Sequence, residues 1–201
     1  MPPSAASVVH SARCLAVLDS ALNGAALPPL APCGPEEEAL WHGECGLFVT
    51  LKSLKEGGQS ALRGCIGSLS PQPLRALDAY ARKAAFEDGR FSPLSAPELH
   101  TLELSVSLLV DMEPAAHALD WQVGTHGTIL EITHAGTYYK ATFLPEVAVE
   151  ARWSQADTIA ALLRKAGCPH LPQAAWRDIA VTRYRSSKAT LTYADWVASA
   201  R

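Results

Sequence analysis

Arg63, Gly64 and Cys65 place a permanent cation and a thiol on either side of a glycine, inside the short apolar stretch Leu62-Arg63-Gly64-Cys65-Ile66-Gly67. If that stretch is a β-strand, its side chains alternate between two faces. Leu62, Gly64 and Ile66 then form a core face, and Arg63, Cys65 and Gly67 share the other. A guanidinium nearby favours the thiolate, the nucleophilic form of cysteine. The five donors of arginine suit a carboxylate or phosphate, and bare glycines at 64 and 67 would let a ligand reach the backbone. Cys65 is therefore a candidate nucleophile, and Arg63, Gly64 and Gly67 are candidates for binding a small anionic substrate. The competing reading is structural. A free cysteine is commonly inert packing, no catalytic base lies close in sequence, and Arg63 could instead pair with Glu87 or Asp88.

Further residues extend the candidate site. His126 lies between small residues ahead of a strand, as an acid/base group or as hydrogen-bonded scaffolding. Asp88 and Arg90 follow a helix, where they would either pair with each other or rim a cleft over the Arg63/Cys65 strand. Glu103 stands on the polar face of its strand, a possible acid/base group and substrate-binding candidate but equally a partner for Arg63. The expected arrangement is one cleft bordered by Arg63, Cys65 and His126 with Asp88 or Arg90. Cys33, His42 and Cys45 offer no fourth ligand at a recognisable spacing, so no metal site is expected. The spacing of Gly64 and Gly67 matches neither a phosphate loop nor a dinucleotide fingerprint, and no cofactor is called for.

Bulk properties narrow the classes. The 201 residues are 48% hydrophobic, enough for a sizeable core, and the net charge of −3 offers no general field for nucleic acid. The tryptophans and tyrosines are scattered and build no stacking platform. No apolar run approaches the ~20 residues of a membrane span. The first residues lack the basic and apolar blocks of a signal peptide. Five cysteines without a C-x-x-C pair read as reduced thiols. A cytoplasmic protein is the expectation.

The positioning elements follow from periodicity. Val8, Ala12, Leu15, Leu18 and Leu22 recur at helical spacing behind a cap at Ser4 or Ser7, with a stop at Asn23-Gly24. A short helix is expected near Glu36–Trp41, its three acids facing solvent. Gly46–Lys52 alternates as a strand and should form a hairpin with the Arg63/Cys65 strand, Leu47, Val49 and Leu51 joining Leu62 and Ile66 in the core. Ser70-Pro71-Gln72-Pro73 looks like the opening of a helix that runs to Phe86. Ser95 and Glu98 make a capping-box pattern. Strands are expected at Thr101–Val110, Thr128–Ile132, Thr137–Leu144 and Ile179–Arg185. Short helices should start at Pro145 and at Gln155, the latter stopping at Gly167 and Pro169. Hairpins and mixed connections, without regular βα alternation, give an α+β fold with a largely antiparallel sheet.

These blocks resemble one family. Leu62–Gly67 is similar to the signature hexapeptide of the AMMECR domain family, in bacteria the A component of the AmmeMemoRadiSam system. Gly46–Lys52, Ala84–Phe91, Leu102–Ser107, Gly124–Gly127 and Phe143–Ala148 follow in the family's order. Gly89, Thr125 and Glu146 depart from the family's usual proline, arginine and glutamine; if that arginine holds an anion, ligand preference here would differ. The resemblance implies a single AMMECR-type domain over residues 1–201, with family-like blocks at about 46–167. It also implies a two-lobed α+β fold whose smaller lobe the sequence does not delimit, and an association with a Memo-like protein and a radical SAM protein. It supplies no reaction, so an enzyme and a non-catalytic binding module both stand.

Overall fold

The protein is described by a computed structural model covering residues 5–30, 35–55, 57–168 and 170–199, with the side chains of 35–37 excepted. The chain divides into two compact units, Met1–Val110 with Ser187–Arg201, and Asp111–Ser186. Antiparallel strands and several helices make it α+β.

In the larger unit, helix α1 (Val8–Asn23) begins at Ser7, whose hydroxyl accepts the Val9 N–H. His10 completes the cap: its Nδ1 accepts the Ser7 N–H at 3.0 Å, and its Nε2 bonds the Leu40 carbonyl at 2.8 Å. Left-handed Gly24 ends the helix at φ 70°, a conformation glycine adopts without a steric penalty. Helix α2 (Pro35–Leu40) leads to strand β1 (Glu44–Leu54), and β1 pairs antiparallel with β2 (Ser60–Pro73). Helix α3 (Leu77–Phe86) lies on this hairpin and is fastened to α1 by Arg13, which grips Asp78 at 2.9 and 2.6 Å. A 3-10 turn over Ala96–Thr101 then feeds strand β3 (Leu102–Pro114), the second antiparallel neighbour of β1. Leu15, Leu18, Leu47, Val49, Leu51, Leu77, Leu104, Val106 and Leu108 fill the core.

Ser70–Pro73 does not open the helix but prolongs β2, with Gln72 opposite Cys45 and Pro73 opposite Glu44. A strand with a neighbour on one side only tolerates proline where the missing N–H would face away from the ladder.

The smaller unit has its own core. Strand β4 (Gly127–His134) pairs antiparallel with β5 (Thr137–Phe143) and with β6 (Ala180–Thr192). Helix α4 (Pro145–Glu150) precedes α5 (Gln155–Ala166), which the Ser154/Asp157 capping box starts and left-handed Gly167 ends. Trp121, Leu130, Ile132, Ile159, Leu162 and Val181 pack together. Gly127 is required by Tyr184: a Cβ there would stand 2.4 Å from the ring. The Tyr184 hydroxyl donates to the Phe143 carbonyl at 3.1 Å, and burial pushes its pKa up to about 12. Strand β6 extends past Ser186 into the larger unit, which the short helix α6 (Tyr193–Ser199) completes. No helix among the described residues is long and apolar enough to cross a membrane.

Candidate functional site

The β1–β2 register positions the hexapeptide. Thr50 faces Cys65 and Leu51 faces Gly64, but Lys52 faces Leu62, leaving Arg63 without a partner across the ladder. This is a β-bulge, and it reverses the alternation beyond it. Leu62 therefore leaves the core face expected for it and stands 42% exposed, while Gly64 stays buried and Ile66 packs partly on the core. The two glycines also serve another purpose than the expected one. A Cβ on Gly64 would lie 2.1 Å from the Ala84 carbonyl oxygen, and one on Gly67 would lie 2.2 Å from the Phe48 ring. Protein occupies the space that each was expected to leave for a ligand.

Arg63 finds a carboxylate that the sequence reading did not assign to it. Its Nε donates to Glu98 Oε1 at 2.6 Å and its Nη2 to Oε2 at 3.2 Å. Glu98 at the same time accepts the Ser95 N–H at 2.9 Å and hydroxyl at 2.7 Å, closing the capping box. The Arg63 guanidinium, more than any other group, holds the Glu98 pKa down to about 2. Glu87, Asp88 and Glu103 are thus not the partners: Glu87 is exposed, and Glu103 sits half-buried opposite Lys52. The Arg63 side chain is only 11% exposed, and its Nη1 is buried with no hydrogen-bond partner. The Phe91 ring centroid lies 5.9 Å from its Cζ and 5.5 Å from that of Arg90.

Asp88 and Arg90 do pair, and their joint target is the backbone of Cys65. Arg90 donates Nε to Asp88 Oδ1 at 2.9 Å and Nη2 to Oδ2 at 2.6 Å. Asp88 Oδ2 accepts the Cys65 N–H at 2.9 Å, and Arg90 Nη2 donates to the Cys65 carbonyl at 3.2 Å. The ion pair thereby meets the strand as a neighbouring strand would, satisfying one donor and one acceptor on its open side. Arg90 first, with the Cys65 N–H behind it, keeps the Asp88 carboxyl well below the usual range. The half-buried Cys65 thiol lies 3.3 Å from the Thr50 hydroxyl.

The structure therefore brings Arg63, Gly64, Cys65, Asp88 and Arg90 together. Thr50 flanks Cys65 as the hairpin reading expects, whereas Glu98 and Phe91 are the neighbours that sequence reasoning missed, although the capping-box pattern had already marked Glu98. His126 belongs to the smaller unit. Its Nδ1 accepts the Gln122 N–H at 3.0 Å, and it lines an open cavity of about 390 Å³ with Asp111, Met112, Glu113 and Arg185. Among the described residues, no three His, Cys, Asp or Glu converge as metal ligands. Cys33, Ser4, Pro32 and Pro169, and the side chains of Glu36 and Glu37, lie outside the described residues. Cys45 is buried, which raises its thiol to about 11.

The hairpin with its α3 cover, the bulged hexapeptide and the Asp88–Arg90 clamp define an α+β protein built around an edge-strand motif. Residues 12–189 match the AMMECR1 family model, and the chain belongs to that family. It is 41% identical over 158 residues to an uncharacterised protein of Schizosaccharomyces pombe, covering 78% of this chain and 80% of that one. It is 39% identical over 188 residues to one of Arabidopsis thaliana, covering 92% and 84% respectively. The crystal structure of an uncharacterised protein from Pyrococcus horikoshii is similar, with TM-score 0.71, 29% identity, and coverage of 91% of this chain and 89% of that one.

Proposed function

We propose that this AMMECR1-family protein binds a small anionic ligand at the Arg63/Cys65 strand. One observation carries the reading: the buried, unpartnered Nη1 of Arg63. A buried donor without an acceptor costs roughly 1–3 kcal/mol, which an arriving carboxylate or phosphate oxygen would recover. Arg90, over the same Phe91 ring and with a side chain 57% exposed, supplies a second cation beside it. Cys65 and Thr50 then lie on the ligand's border. Family resemblance supports the further proposal that the protein works with a Memo-like and a radical SAM protein, which co-purification of the three would test.

A second reading has its own support. Asp88 and Arg90 spend their hydrogen bonds on the Cys65 backbone, and Glu98 takes two donors of Arg63. On this reading the motif serves the fold of a non-catalytic adaptor. Arg63→Ala separates the two. A ligand anchor predicts loss of metabolites retained by the native chain, detected by native mass spectrometry, with a modest fall in melting temperature. A purely structural motif predicts a fall as large as that of Ile66→Ala and no ligand retained by either protein. That second outcome would overturn the anchor.

A further inference from the structure

Within the smaller unit, β3 and β6 carry two successive arginine–carboxylate rungs, one closed and one open. Arg183 Nε donates to Glu113 Oε1 at 2.8 Å, and its Nη1 donates to Asp120 Oδ1 at 2.9 Å and to the Asp120 carbonyl at 3.0 Å. At the next rung, Arg185 Nη1 stands 3.9 Å from Asp111 Oδ2, beyond hydrogen-bonding reach. Both side chains remain largely exposed, at 61% and 67%. Asp111 is held at φ 52°, a left-handed conformation that aspartate tolerates better than most residues. This open rung lines the 390 Å³ cavity that also contains His126, Glu113 and Met112. Because His126 Nδ1 accepts the Gln122 N–H, the neutral ring carries its proton on Nε2, which has no hydrogen-bond partner among the described residues.

We infer that this cavity binds a small zwitterion of the α-amino-acid kind, its carboxylate on Arg185 and His126 Nε2–H and its ammonium on Asp111. Arg185 and Asp111 face each other too far apart to hydrogen-bond, and a ligand carrying an ammonium and a carboxylate on one carbon atom bridges them. A simple anion would sit against Asp111 and Glu113, and a simple cation against Arg185, so each half alone meets a repulsive charge. The cavity volume suits a molecule of this size. Met112, 41% exposed, gives the ligand's carbon atoms an apolar wall.

Calorimetric titration of the full chain with the common α-amino acids, β-alanine, acetate and methylamine tests this. At least one zwitterion should bind with a dissociation constant below about 1 mM, and acetate and methylamine should bind at least about tenfold more weakly. Arg185→Gln and Asp111→Asn should each weaken the zwitterion about tenfold, with unchanged melting temperatures because both side chains are exposed. Arg63→Ala should leave this binding intact, which separates the cavity from the hexapeptide site. No saturation by any zwitterion, acetate binding as tightly as the zwitterion, or binding that survives Arg185→Gln would each overturn the inference.

Discussion

The hexapeptide network and the Asp111/Arg185 rung are built from the same residue types, yet one is closed and the other is not. Around Cys65, Arg63 grips Glu98, Arg90 grips Asp88, and Asp88 grips the strand backbone, all at 2.6–3.2 Å. At Asp111 the opposing groups stop at 3.9 Å. The difference lies in what holds the carboxylates. Glu98 is pinned by the Ser95 cap and Asp88 by the Cys65 and Arg90 backbone N–H groups, so each presents its oxygens in one direction. A charged atom whose hydrogen bonds are already assigned fixes structure, and in the hexapeptide network that leaves Arg63 Nη1 as the unassigned position. A charge left facing its opposite across a cavity is available to something else.

The largest effect that would sharpen this contrast is steric. Gly64→Ala would drive a methyl group against the Ala84 carbonyl, a backbone atom with no rotamer to move into. Denaturant titration should show a loss of roughly 3 kcal/mol or more, at the upper end for overpacking. Gly89→Ala, in the neighbouring loop with nothing within 4 Å and no positive φ, should be neutral or slightly stabilising. Equal effects from the two substitutions would mean that α3 does not rest on Gly64 in solution.

Next comes the clamp. Asp88→Ala leaves the Cys65 N–H without its acceptor and releases Arg90, whose exposed head can return to water. The expected cost is about 1–3 kcal/mol. Arg63→Ala should fall in the same range and not higher, because the Glu98 side chain is 35% exposed and can rehydrate. A double-mutant cycle between Asp88 and Arg63 would show whether the two pairs act as one network. A coupling of zero would reduce the closed cluster to two independent ion pairs.

The residues differ in how far they could be read from sequence. The strand at Leu102–Leu108, the caps at Ser7, Ser95 and Ser154, and the stops at Gly24 and Gly167 are local properties, and the structure has them, but Ser105 and Ser107, whose alternation with leucine reads as a solvent face, are buried as well. The exposure of Leu62 was not legible, because the bulge at Arg63 exists only in register with β1. Glu98 was visible as a cap but not as the partner of a residue 35 positions earlier, since only packing selects among several nearby carboxylates. Pro71 and Pro73 misled for the opposite reason: a helix start and an open strand edge both tolerate them. Arg183 and Arg185 went unremarked, since alternating charges on a strand carry no local sign of which pair will close.

Acid separates the closed network from its surroundings. Glu98 falls from its ordinary 4.5 to about 2 on folding, and Asp88 moves in the same direction. A carboxylate depressed on folding adds stability above its unfolded pKa and loses it as pH falls through the folded value. Stability should therefore decline from about pH 4.5 toward pH 2, and Glu98→Gln should flatten that decline. Buried His10 adds an earlier phase, because burial lowers its pKa from 6.5 and favours the neutral ring that caps α1. The loss from this source begins as pH drops below 6.5, where the unfolded chain takes up the proton first. Urea melts across this range, on the native chain, Glu98→Gln and His10→Gln, would show whether the two phases separate as expected.

The smallest effect tests the open rung itself. Arg183 is 25% exposed on its side chain and reaches Glu113, Asp120 and a backbone carbonyl. Exposed ion pairs are worth little singly, so Arg183→Ala should lower the melting temperature by only about 2–4 °C for a chain of this size. Arg185→Ala removes a contact already too long to bond and should change stability by less than about 0.5 kcal/mol. The Arg183 effect should also shrink in high salt, because screening weakens the partly exposed pairs it makes. If Arg185→Ala proved as costly as Arg183→Ala, with the same salt dependence, Arg185 and Asp111 would be a formed pair in solution. Their donors and acceptors would then be assigned to each other, and the reason for expecting a ligand between them would disappear.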